Sequence, residues 1–156
     1  MTNHCVCRLQ RKQDGVNGSF GHKWGEWWAN NYFAPLDTLP HMPIVGDSTM
    51  AAMHVVNGEV EYWIGFFCEP GTEAPDGYEA VDIGPRRYAV VWKRGDEHNG
   101  ELYGLESHNL ALQELHRQGW RRVEDDWCFE RNNCPRFTTP DAEGRVILDY
   151  GIAVEE

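Results

Sequence analysis

The chain has 156 residues, 41% of them hydrophobic, enough for one domain with a real core and short for two, so residues 1–156 are read as a single domain. A formal net charge of -11 and the lack of any Lys or Arg block exclude phosphate-backbone binding as the main activity, and no direct nucleic-acid contact is expected. No apolar run approaches the roughly 20 residues of a membrane span, and the N-terminal MTNHCVCRLQRK lacks the apolar segment of a secretory signal, so the expected setting is cytoplasmic and away from membranes.

From the N-terminus, His4 to Lys12 alternates loosely as a strand and runs into the turn-rich DGVNGSFG. The five cysteines, at 5, 7, 68, 128 and 134, form no CxxC pair and suit reduced thiols. His4, Cys5 and Cys7 match no common zinc spacing, so neither metal nor cofactor is expected. Ser19 is placed to cap a helix that carries Phe20, Trp24, Trp27, Trp28 and Asn31 to Tyr32 on one face, and Pro35 should stop it. The following APLDTLPHMPIVGDS holds three prolines and reads as a packed loop.

The runs MAAMHVV and EVEYWIGFF flank Asn57-Gly58, the pair best suited to a two-residue type I′ hairpin. In the second run Tyr62, Ile64 and Phe66 share one face and Trp63, Gly65 and Phe67 the other, so both faces need apolar cover. After the connector EPGTEAPDG, the stretch YEAVDIGPRRYAVVWKRG reads as two strands broken at Gly84 and Pro85; in the second, Tyr88, Val90 and Trp92 alternate with Ala89, Val91 and Lys93. A helix over LYGLESHNLALQELHRQGW places Leu105, His108, Leu112 and Leu115 on one stripe with Gly119 as its C-terminal cap, and His108 reads as a hydrogen-bonded core residue rather than a ligand. DDWCFE and RVILDYGIAV close the chain as strands.

These elements form the order strand, helix, strand, strand twice, with an extra strand at the join. The predicted fold class is therefore α+β: duplicated β-α-β-β units in one twisted antiparallel sheet, two main helices on one face and a ligand groove at the seam. Seven tryptophans in this length point to a bulky core with some rings free to line a ligand cage.

Three stretches, EYWIGFFCEP, GYEAVDIGPRRYAVVWKRG, and CFER followed by ILDYGIAV, resemble the GyrI-like superfamily, which includes the effector-binding domains of AraC-type and MerR-type multidrug regulators. The likeness covers the C-terminal two-thirds. It implies that Glu130 sits among aromatic rings and neutralises a bound cationic drug, that Tyr150 closes the pocket, and that Tyr62, Trp63 and Trp92 line it, with Trp24 and Trp28 facing it from the first helix. A carboxylate beside ring faces suits a delocalised cation, through charge and ring quadrupole together. Arg131 is followed here by Asn132 and Asn133, a departure from the family that implies a more polar rim.

No helix-turn-helix precedes the first strand, so the chain reads as a stand-alone module binding an amphipathic, cationic, aromatic small molecule for sensing or sequestration. Two other readings stay open. One is hydrolysis of strained cyclopropanoid toxins with Glu130 as general base; the other is a protein partner, as for relatives that inhibit gyrase, or a homodimer. No Ser or Cys stands in the context of an activated nucleophile, so covalent catalysis is not expected.

Overall fold

The computed structural model describes residues 3–10, 20–42, 48–84, 86–124 and 126–156 and, within the first strand, the side chain of Cys5. The Ser19 cap, Pro85 and the side chains of His4 and Cys7 lie outside the described residues.

The elements in chain order are β1 (Asn3–Gln10), α1 (Gly21–Ala29), α2 (Ala34–Asp37), β2 (Thr49–Val56), β3 (Glu59–Cys68), β4 (Glu79–Ile83), β5 (Arg87–Gly95), α3 (Gly104–Arg117), β6 (Cys128–Arg131) and β7 (Val146–Val154). The strands form one seven-stranded sheet in the order β4-β1-β3-β2-β6-β7-β5, and every pairing is antiparallel. The predicted duplication is visible in that order. β1-α1-β2-β3 and β5-α3-β6-β7 are the two units, their second strands meet at the β2–β6 seam, and β4 is the added edge.

Local chemistry explains most boundaries. The β2–β3 hairpin turns at Asn57 and Gly58 with φ of 51° and 77°, the two left-handed residues that a type I′ turn requires. At the end of α3 the Trp120 N–H bonds the Leu115 carbonyl and the Gly119 N–H that of His116; with Gly119 at φ 85° this is a Schellman cap. Two expectations change. The first helix ends at Ala29, before Pro35, because Asn31 takes a left-handed φ of 55° as asparagine can. Pro35 then lies in the first turn of α2 rather than ending a helix, at a position where its missing N–H costs nothing. Likewise Leu105 is 74% exposed. The inward stripe of α3 is Ser107, Ala111 and Leu115, and at about 100° per residue Leu105 falls well to its side.

The strand registers divide the core between the two faces of the sheet. One face carries Ala51, Tyr62, Ile64 and Phe66, packed by Trp27, Phe33 and Leu36 of the first helical layer; further along the same face Tyr150, Ile152 and Val154 pack against Ala111 and Leu115 of α3. Both main helices therefore cover one face, one over each unit. On the opposite face Cys5, Met50, Ala52, Trp63, Phe67 and Phe129 form a separate cluster. There Phe129 reaches Phe67 on one side and, across Gly151, Tyr88 on the other, each at 5.3 Å between ring centroids; a Cβ at Gly151 would fall inside the Phe129 ring. Beside them Asp149, fully buried, accepts hydrogen bonds from Arg131 and Arg136. Among the described residues no helix is long and apolar enough to cross a membrane.

Candidate functional site

The seam between the units places a charge on the helix-bearing face of the sheet. In β6, Glu130 stands opposite Ala51 of β2 on one side and Tyr150 of β7 on the other, and it is 6% exposed. Strand alternation points Glu130 to the helix-bearing face, since its register partners Ala51 and Tyr150 belong to the helix-packed clusters there. Ala51 contributes only a methyl group beside it.

Each helix sends one polar group to a tyrosine that flanks this carboxylate. From α1 the Trp24 indole N–H donates to the Tyr62 hydroxyl at 2.8 Å, and that hydroxyl donates to Glu130 Oε2 at 2.7 Å. Phe20 stacks flat on the Tyr62 ring, 4.5 Å away with 4° between planes. From α3, His108 Nδ1 lies 2.6 Å from the Tyr150 hydroxyl, the hydrogen-bonded role expected for that histidine. The Lys93 ammonium sits 3.6 Å from the centroid of the Tyr150 ring, within cation–π range. Among the described residues, Tyr62 supplies the one hydrogen bond to Glu130, so the second carboxylate oxygen keeps its acceptor capacity.

The electrostatics follow from burial. Desolvation pushes the Glu130 carboxyl above its ordinary value, against the Tyr62 hydrogen bond and the Lys93 charge, which hold it down. Desolvation, and after it the Glu130 charge, raises Tyr62 well above a normal phenol. Burial brings Lys93 down to about 8, with Glu130 opposing that fall. Tyr103, in the loop leading into α3, is raised by burial and then by the charge of Glu130. The result is a buried carboxylate, held by one tyrosine hydroxyl among the described residues, whose ionised form is costly.

Four of the seven residues singled out in the sequence come together here: Glu130, Tyr62, Tyr150 and Trp24. The other three do not. Trp63 belongs to the cluster on the opposite face, where its indole N–H is buried without a hydrogen-bond partner. Trp92 is 63% exposed beneath the Arg136 guanidinium, and Trp28 is 60% exposed against Phe33. The reason is periodicity: Tyr62 and Trp63 are adjacent in one strand and cannot face the same way, and Trp92 is adjacent to Lys93. Phe20, Tyr103 and Lys93 were not singled out. For Lys93 a signal existed, because it shares strand parity with Ala89 and Val91, which pack under α3. A shallow depression on the outer side of α3, lined by Leu105, Glu106, Asn109, Leu110 and Gln113, shares no residue with the Glu130 cluster.

Two solved structures share this fold. The chain aligns with the structure of SAV2435 bound to tetraphenylphosphonium at a TM-score of 0.71 and 13% identity, over 99% of this chain and 89% of that one. It aligns with a protein from Staphylococcus aureus MU50 assigned to bacterial transcription regulation at a TM-score of 0.66 and 12% identity, over 99% and 94%. At such identities the likeness is one of fold. No protein-family profile matches the chain, and no curated protein does.

Proposed function

We propose that this protein is a GyrI-like binding domain for amphipathic cations with aromatic surface, serving to sense or sequester them. The observation that carries this reading is Glu130: a carboxylate buried at the seam of two repeats, given a single hydrogen bond among the described residues, and flanked by Tyr62 and Tyr150. A buried charge with so little compensation is expensive in the free protein. A ligand that supplies the missing positive charge, and apolar area for the rings, recovers that cost. The fold likeness to SAV2435, whose structure holds tetraphenylphosphonium, supports the same ligand class.

Titration with tetraphenylphosphonium, followed by tryptophan fluorescence and calorimetry, tests the reading. At an effective dielectric near 20, opposite charges about 5 Å apart attract by roughly 3 kcal/mol, so Glu130→Gln should weaken binding about 100-fold. Binding indifferent to that substitution would overturn the role given to Glu130. The raised carboxyl of Glu130 also suits a general base; turnover of a cyclopropane-bearing electrophile, abolished in Glu130→Gln, would favour hydrolysis over binding alone.

A further inference from the structure

Lys93 lies beside the Glu130 cluster, over one of its rings. It leaves β5 two residues from Val91, the register partner of Tyr150, and its ammonium lies over the Tyr150 ring, the ring that borders Glu130. Its other polar contact is a long 3.5 Å hydrogen bond to the Leu102 carbonyl. Among the described residues it makes no ion pair with a carboxylate, although the Glu130 charge acts on it. The ammonium is thus held by a ring face and by the field of a carboxylate that it does not touch. These are the two attractions a bound aromatic cation would use.

We infer that Lys93 is the resident cation of the site, a tethered competitor that a cationic ligand must displace, so that it sets ligand selectivity and makes binding tighten as pH rises. This rests on the cation-binding reading of the Glu130 cluster.

Two consequences follow. A tethered group competes at an effective concentration on the order of millimolar. A compact ammonium ion offers the site nothing that Lys93 does not already supply, and so it does not bind at lower concentration. An aryl cation adds apolar contact with the rings of Phe20, Tyr62 and Tyr150, and displaces it. The second consequence is proton linkage. If the ligand takes the place of the ammonium, binding favours neutral Lys93 and releases its proton.

The groups facing Lys93 are Glu130 and Cys128 on β6, Tyr150 on β7, His108 on α3 and Tyr103 before it. Burial raises Cys128, Tyr150 and Tyr103 and lowers His108, each toward its neutral form. With Lys93 at about 8, displacement predicts that affinity rises about tenfold from pH 7 to pH 9 and then levels. Any contribution from Glu130 itself appears equally in variants that retain it.

The experiment is calorimetric titration of the full chain with tetraphenylphosphonium, whose charge is independent of pH. It is run at pH 7 and 9, in buffers of different ionisation enthalpy so that released protons are counted. Lys93→Met should bind about tenfold more tightly than the wild-type chain at pH 7, match it at pH 9, and release about one proton fewer at pH 7. Lys93→Arg, which cannot shed its charge in this range, should bind weakly at both pH values. Tetramethylammonium at micromolar concentration should give no signal with the wild-type chain. If Lys93→Met binds as the wild type does at both pH values, or more weakly, the inference is overturned while the ligand site stands. If neither the wild-type chain nor Lys93→Met binds tetraphenylphosphonium, the reading of the site fails and takes this inference with it.

Discussion

Replacing Glu130 with Gln should make the unliganded protein more stable at pH 8 while removing what the site offers a cation. In real proteins a buried ion costs several kcal/mol after relaxation. Here that cost is offset by one charge-assisted hydrogen bond from Tyr62, about 1.5–3 kcal/mol, and by the field of Lys93. The net raised carboxyl of Glu130 means that the offset is incomplete. Glutamine keeps an oxygen to accept from Tyr62 and adds an amide N–H with no evident acceptor, so the expected gain is the smaller part of the difference, about 1–2 kcal/mol. Lys93 does not reverse the sign, because without the Glu130 charge, which sustains its own, it loses its proton more readily. For a chain of this length that gain is about 2–8 °C in Tm.

The pH dependence has a definite direction. With its folded value above the ordinary 4.5, Glu130 keeps its proton in the folded chain after the unfolded chain has released it. Wild-type stability therefore falls as pH rises from about 4.5 to the raised value, and below 4.5 the carboxyl is neutral in both states. Urea unfolding of the two proteins, followed by tryptophan fluorescence, should show near-equal stability at pH 4 and a clear advantage for Glu130→Gln at pH 8. A variant less stable than wild type by more than about 1 kcal/mol at pH 8 would show that Glu130 is a structural ion rather than an unmet charge. An equal gain at both pH values would show that ionisation is not its source.

The opposite face supplies two further tests. A methyl group at Gly151 would occupy the Phe129 ring, so Gly151→Ala should cost about 3 kcal/mol or more in urea unfolding, and adding Phe129→Ala should recover part of it. Asp149→Asn should cost about 3 kcal/mol in the same measurement. It leaves Arg131 and Arg136 facing a neutral group in a buried position, and their partial contact with solvent places the effect at the lower end for a broken buried pair.

The sequence revealed much of this architecture because its signals were local. Asn57-Gly58 specifies a hairpin by itself, Gly119 a helix end, and the spacing of apolar runs the repeated order of elements. The seam was also predictable: in two antiparallel units of this topology, the strands that follow each helix meet at the centre of the sheet. What was not local was misjudged. Whether Asn31 or Pro35 ends the first helix depends on a left-handed residue that asparagine adopts only as context allows. The exposure of Leu105 depends on where α3 lies over β7, which periodicity alone does not determine.

The site shows the same division more sharply. Choosing residues by type gathered the tryptophans, and three aromatic side chains so chosen lie elsewhere, because an aromatic ring serves a core as well as it serves a ligand. Strand parity separates the two on strands, Trp63 and Trp92, without any structure. Tyr62 and Trp63 cannot both face Glu130, and whichever face holds Trp92 excludes Lys93. Charge then decides which parity matters. A lysine in step with Ala89 and Val91, and a glutamate whose neighbour Phe129 faces the other way, are placed by the chain on an apolar face at a cost that packing does not explain. Glu130 and Lys93 carry opposite charge, lie on the same face on either side of the Tyr150 ring, and form no ion pair with each other among the described residues. A fold that needed the pair only for stability would gain more by closing the contact or by replacing both with apolar groups. Kept apart around a ring, the two leave no Glu130–Lys93 ion pair that a displacing cation would first have to break.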